Sequence, residues 1–97
     1  MSYVRVMVFE NQMSWTEGMK IFRKAAEPGL KALKKQKILS KYSLVQTGDH
    51  SGMLIAEFDN KAKMNKYVKI LSAVRREVEA ETGQQSWIYN GPVKAGS

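Results

Sequence analysis

Two stretches of this chain are apolar on both faces when laid out as strands. In Ser51 to Asp59, Leu54, Ala56 and Phe58 alternate with Met53 and Ile55, and alternate residues of a strand point to opposite faces. In Tyr3 to Glu10, Val4, Val6 and Val8 oppose Tyr3, Met7 and Phe9. An antiparallel sheet with one face in water carries polar residues there. The sequence supplies only two helical segments to cover a sheet, so the pattern predicts a second face buried against another subunit or around a ligand.

Between and after these strands the spacing lengthens to three and four. Ser14 caps a first helix and Glu17 completes a Ser-x-x-Glu capping box. Trp15, Met19, Phe22 and Ala26 then form its buried stripe. Pro28-Gly29 predicts a kink or split near Glu27, followed by a shorter helical piece through Leu30 and Leu33. Ile38 to Thr47 holds a strand with Tyr42, Leu44 and Val45, and Gly48 to Gly52 turns it into a hairpin with the strand at Ser51. Asp59 or Asn60 caps a second helix, with Met64, Tyr67, Val68, Leu71, Val74 and Val78 on its buried side and Gly83 at its end. Gln84 to Asn90, with Trp87, Ile88 and Tyr89, reads as a last strand closed by Gly91-Pro92, and Lys94 to Ser97 as a loose tail.

The order strand, helix, strand, strand, helix, strand predicts one α+β domain over residues 1–97. It is the ferredoxin-like βαββαβ arrangement, with both helices on one face of a four-stranded antiparallel sheet. Of the two faces of the first strand, the compact, branched valines are expected to meet the helices. Tyr3, Arg5, Met7 and Phe9 would then point to the second face.

Size and charge narrow the function. A chain of 97 residues buries only about two-thirds of its unfolded surface, so pairing with a second copy would strengthen its core. There is no cysteine, which removes disulfides, thiolate catalysis and cysteine–zinc sites. No apolar run approaches the roughly 20 residues that span a bilayer, and no signal-peptide pattern opens the chain; the expectation is a soluble, cytoplasmic protein with no membrane partner. Lys20 to Lys41 holds eight basic residues against Glu27 alone, so the whole net charge of +7 sits there. Lys31, Lys34, Lys35, Lys37 and Lys41 read as a solvated helix end or as an attractor of anions.

Few residues suggest chemistry. Arg5, among apolar neighbours, needs a carboxylate, a carbonyl or an anionic ligand; Glu57, on the Ile55 side of its strand, is the expected partner in an ion pair, and a substrate clamp is the alternative. His50, the only histidine, falls at the hairpin tip and reads as an exposed turn residue, with a catalytic base as the alternative. One histidine and no cysteine leave no metal site. Glu77, Glu79 and Glu81, spaced by two, lie on different sides of a helix and read as solvated surface.

Pro28-Gly29 before the second strand, the Gly48 to Gly52 hairpin, Phe58-Asp59-Asn60 opening the second helix and Gly91-Pro92 after the last strand give the chain a further likeness. It resembles the dimeric alpha-beta barrel superfamily, which includes antibiotic-biosynthesis-monooxygenase-like, stress-responsive barrel and NIPSNAP-like proteins. The resemblance implies a homodimer in which two sheets pack face to face. It also implies a monooxygenase-like enzyme without cofactor, acting on a small aromatic or hydrophobic metabolite held in the barrel or beneath the helices, where polar groups remove a proton so that a carbanion meets oxygen. On that reading Arg5, Asn11 and Tyr89 are the candidate catalytic groups, and Tyr42 and Trp87 line an aromatic substrate pocket with Tyr89. A haem-degrading member would offer a histidine from the second helix, and Lys61 to Thr82 contains none.

Two other functions fit the same order. A non-catalytic dimer that binds a small hydrophobic or anionic ligand, or that serves as a structural module, needs none of the catalytic groups. An RNA-recognition motif needs aromatic residues on the open face to stack bases, and the aliphatic Met53 and Ile55 of the third strand suit that use less well than a protein surface.

Overall fold

The computed structural model describes residues 2–96. Strand β1 (Tyr3–Glu10) leads into α1 (Trp15–Ile21), a π-helical turn (Phe22–Ala26) and α2 (Glu27–Lys35). Strands β2 (Lys41–Gln46) and β3 (Ser51–Phe58), the long helix α3 (Lys61–Thr82) and β4 (Gln85–Pro92) complete the chain. The strands form one antiparallel sheet in the order β2-β3-β1-β4, and the helices lie on one of its faces. This is the ferredoxin-like α+β fold. Residues 94–96 are exposed and irregular; Ser97, the last of the expected tail, lies outside the described residues.

Local chemistry fixes the helix ends. Ser14 Oγ accepts the Glu17 amide at 3.2 Å. At α3 the cap is Asn60, whose Oδ1 accepts the Lys63 amide at 2.9 Å, because Asp59 is already engaged by Lys63 Nζ and Ser40 Oγ at 2.9 and 3.0 Å. Gly83 ends α3 at φ 71°, in the left-handed region that glycine enters without steric cost.

Pro28 neither splits nor stops the helix. Lacking an amide hydrogen and crowding the turn before it, it sits in the first turn of α2, and the backbone adjusts upstream. The Glu27 amide reaches back five residues to the Phe22 carbonyl, the spacing of a π turn. The break expected near Glu27 is therefore a widened turn over Phe22–Ala26 within continuous helix. Gly91 and Pro92, expected to close β4, instead belong to it and pair with Val4 and Tyr3; β4 is an edge strand, where a missing amide is tolerated.

The register reverses one expectation. Tyr3, Arg5, Met7 and Phe9 pair with Phe58, Ala56, Leu54 and Gly52 of β3, and directly paired residues share a face. That face packs on the helices: Phe58, Ala56, Leu30, Leu33, Leu39, Met64 and Tyr67 form the core, with Tyr3, Tyr42 and Leu54 against it. The valines thus face away from the helices, with Met53, Ile55 and Glu57. Arg5 and Glu57 lie on opposite faces, so the expected ion pair does not form. Longer side chains suit the helix side, where they must span the gap to a second layer.

Leu30 is fully enclosed between α2 and the sheet. Leu30→Ala is expected to lower the unfolding free energy by about 2–5 kcal/mol, read from urea denaturation; a loss below 1 kcal/mol would mean that this end of the core is not packed as described.

Candidate functional site

The core fills only one end of the space between helices and sheet. At the other end, where Phe9 pairs with the bare backbone of Gly52, a partly open cavity of about 130 Å³ remains. Gly52 matters there, because a Cβ would meet Phe9 at 2.7 Å and the Trp15 ring at 2.8 Å. The two aromatic rings rest on that backbone with their centroids 6.1 Å apart. The Trp15 indole is held by its Nε1–H, which donates to the Gly48 carbonyl at 2.8 Å.

Apolar groups from every layer line the cavity: Met7 and Leu54 from the sheet, Ile21 and Phe22 from the first helical segment, Leu71 and Val78 from α3. Into this lining project Arg5, Asn11, His50, Tyr67, Arg75 and Gln84. No aspartate or glutamate lines it among the described residues.

Arg5 enters from β1. Burial lowers its pKa; the nearby Tyr67 raises it and the Arg75 charge lowers it again. It makes no salt bridge among the described residues. Tyr67, from α3, is buried against Phe58 in an edge-on pair at 5.0 Å. Burial pushes its hydroxyl pKa up and Arg5 pulls it down, so at neutral pH it is a proton donor. Arg75 lies two turns along α3 from Tyr67. Its Nε is buried without a hydrogen bond, and Glu79 Oε1, 3.5 Å away, also accepts the Ser86 hydroxyl at 2.7 Å.

The mouth is tied together by backbone and amide groups. Asn11 Oδ1 accepts the Met13 amide at 3.0 Å, and Nδ2 donates to Gln84 Oε1 at 3.3 Å. The Asn11 amide donates to the His50 carbonyl at 2.9 Å. His50 is exposed, and its Nδ1 lies 2.8 Å from the Met13 carbonyl. A carbonyl only accepts, so Nδ1 carries the proton and, in the neutral ring, Nε2 is the free acceptor. The sole histidine is an exposed turn residue, as expected, that also borders the cavity.

Of the residues singled out in the sequence, Arg5 and Asn11 come together here. Tyr42, Trp87 and Tyr89 do not. Tyr42 faces the helices from the β2 edge, whereas Trp87 and Tyr89 pair with Val8 and Val6 on the open face of β4, the opposite edge. They are 44% and 64% exposed, and the expected shared aromatic pocket does not form within one protomer. Glu79, expected in solvent, is half-buried against Arg75 and Ser86. Tyr67 and Arg75 were not singled out as site residues, although the sequence held a signal: Arg75 is four residues past Leu71 and three before Val78, on the apolar stripe itself.

The architecture is that of ferredoxin-like proteins with a cavity under the helices. Solved structures share the fold over nearly their whole length. A mutant of SnoaB, a cofactor-independent oxygenase from Streptomyces nogalater, matches at TM-score 0.76 and 12% identity, covering 98% of this chain and 95% of that one. A dimeric ferredoxin-like protein from an uncultured marine organism matches at TM-score 0.80 and 10% identity, with 98% and 97% coverage. A candidate antibiotic biosynthesis monooxygenase from Deinococcus radiodurans matches at TM-score 0.75 and 8% identity, with 98% and 95% coverage. At such identity these neighbours show the fold alone, the ferredoxin-like fold expected from the order of strands and helices. No protein-family model and no curated protein matches the sequence. Among the described residues no helix is long and apolar enough to cross a membrane.

The raised pKa of Tyr67 has a definite sign in stability. The folded state holds this proton more tightly than the unfolded chain, whose tyrosines ionise near pH 10. Tyr67's contribution is therefore complete below about pH 10 and is lost as pH rises through the higher folded value. Tyr67→Phe should remove the latest step of tyrosinate absorbance and make the alkaline loss of stability shallower; an unchanged latest step would show that another tyrosine carries it.

Proposed function

We propose that this protein is a homodimeric, cofactor-independent oxygenase of a small aromatic or hydrophobic compound that sits beneath the helices. The observation that carries the reading is the mostly apolar cavity beneath the helices with a few polar groups converging on it, the form that small-molecule sites take. The likeness to a cofactor-independent oxygenase over almost the whole fold supports the same choice. The reading places the enzyme in the cytoplasm.

In such a reaction the substrate is its own reductant. An activated CH₂ of a phenolic ring system loses a proton to a base at the site, and the carbanion passes electrons to O₂. A C–O bond forms, and loss of water from the hydroperoxide leaves a carbonyl, so that CH₂ and O₂ become C=O and H₂O. His50 Nε2 is the free acceptor for the first proton, Arg5 would stabilise the anion, and the Tyr67 hydroxyl would donate to its oxygen. Asn11, with both ends of its amide engaged, would hold the mouth. Tyr89, Trp87 and Tyr42 would act through the assembly, not in this cavity.

The dimer would form through the open sheet face. Val4, Val6, Val8, Val45, Met53 and Ile55 lie there with Trp87 and Tyr89, and the helices leave it uncovered. Four strands about 4.8 Å apart and up to eight residues long give a face of roughly 500 Å². Two such faces bury about 1,000 Å², the lower bound for a specific interface. An aliphatic centre also fits a second copy better than stacked RNA bases.

Two measurements test this. Oxygen uptake with a panel of phenolic ring systems that carry an activated CH₂ should show turnover that needs no added metal or flavin and drops at least tenfold in His50→Ala; absence of turnover across the panel would favour the non-catalytic binding dimer. Met53→Arg, which sets an unpaired charge at the joined sheets, should convert a dimer to monomer or aggregate in light scattering. An unchanged dimeric mass would overturn the open-face interface.

A further inference from the structure

Two guanidinium groups reach one small cavity from opposite layers, Arg5 from β1 and Arg75 from α3; Glu79 pairs with Arg75 at 3.5 Å, and no carboxylate lines the wall to neutralise Arg5. Burial lowers the pKa of Arg5, and the Arg75 charge lowers it further. Glu79, shared with the Ser86 hydroxyl, leaves the buried Arg75 Nε without a hydrogen bond. Like charges gathered among Met7, Phe9, Phe22 and Leu71 are unfavourable unless an anion joins them. A neutral donor, the Tyr67 hydroxyl, stands beside Arg5.

Size sets the other half of the ligand. A cavity of about 130 Å³ is well under the roughly 300 Å³ at which drug-sized pockets begin, and close to the ~150 Å³ apolar cavity that holds one benzene. The rings of Phe9 and Trp15 form one wall.

We propose that the cavity selects a single-ring aromatic carboxylate, its carboxylate between Arg5 and Arg75 and its ring against Phe9 and Trp15. The planar fork of a guanidinium matches a carboxylate bidentately, and two forks with a phenol supply more donors than a phenolate's single oxygen uses. The concentration of positive charge in residues 20–41 raises the local concentration of such anions near the protein. This inference rests on the reading of the cavity as the substrate site and narrows what that site takes.

The test uses the whole chain with Trp87→Phe, leaving Trp15 as the only tryptophan, and follows its fluorescence during titration with benzoate, benzamide and inorganic phosphate. Benzoate should bind about ten- to a hundredfold more tightly than benzamide, the factor expected for charge-assisted hydrogen bonds. Phosphate should bind at least tenfold more weakly than benzoate. Arg5→Gln and Arg75→Gln should each bring benzoate to within about threefold of benzamide, and Arg75→Lys should keep part of the preference. Equal binding of benzoate and benzamide in the unsubstituted site, which requires no arginine variant to fold, would overturn the proposal. So would phosphate as tight as benzoate, or no binding of any of the three. If benzoate is preferred but no aromatic acid or phenol consumes oxygen, the oxygenase reading fails and this one stands. If neutral phenols are oxidised while charge makes no difference to binding, the reverse holds.

Discussion

The alternation of β1 is the constraint on which the rest depends. A strand whose two faces are both apolar must be covered twice, and the helices of one chain cover a sheet once. The helix side receives Tyr3, Met7 and Phe9, side chains long enough to meet a second layer; the open side receives Val4, Val6 and Val8. The outer face of the sheet is consequently flat and aliphatic at its centre, with Trp87 and Tyr89 at the β4 edge. Such a face left in water is an association surface.

The cavity follows from an uneven division of bulk between the two ends of the sheet. At the Tyr3–Phe58 end, large residues from β1 and β3 meet Leu30, Leu33, Leu39, Met64 and Tyr67, and the space is filled. At the Phe9–Gly52 end, β3 contributes no side chain, and the Phe9–Trp15 pair occupies the room this leaves. Cavities in protein interiors are costly when they serve nothing. Placing charged side chains beside one adds desolvation to that cost. Arg5, part of the strand that organises the fold, is therefore a residue whose burial costs stability, a cost that the proposed anion would offset.

Much of this was legible in the sequence because local chemistry signals it locally. The caps at Ser14, Asn60 and Gly83, the hairpin at Gly48 to Gly52 and the doubly apolar strands are each set by a few neighbouring residues. The face of β1 was not legible, since alternation says which residues share a side but not which side meets the helices when both are apolar. Preferring the valines inward misassigned Arg5, and with it the Glu57 pair. The aromatic pocket failed for another reason. In the strand order β2-β3-β1-β4 the second and fourth strands are opposite edges, so residues of Tyr42 and Trp87 type cannot meet in one sheet however well their chemistry matches. Arg75 was hidden by its company: among Arg76, Glu77 and Glu79 it reads as solvent-facing, and only its spacing from Leu71 and Val78 gives it away.

The two faces of the sheet are coupled through β1. Sliding this strand by one residue against β3 would exchange its faces, moving the valines under the helices and Arg5 to the outside, and an apolar pattern by itself resists that slip weakly. The asymmetric demands of the two environments resist it better. Phe9 fits against Gly52 only in the present register, and a second sheet pressed on the outer face would accept branched valines there but not the Arg5 guanidinium. Burial of the outer face in the proposed dimer would thus oppose the displacement that empties the cavity of its β1 arginine, so the proposed interface on one side of the sheet and the proposed site on the other would reinforce each other without sharing a side chain.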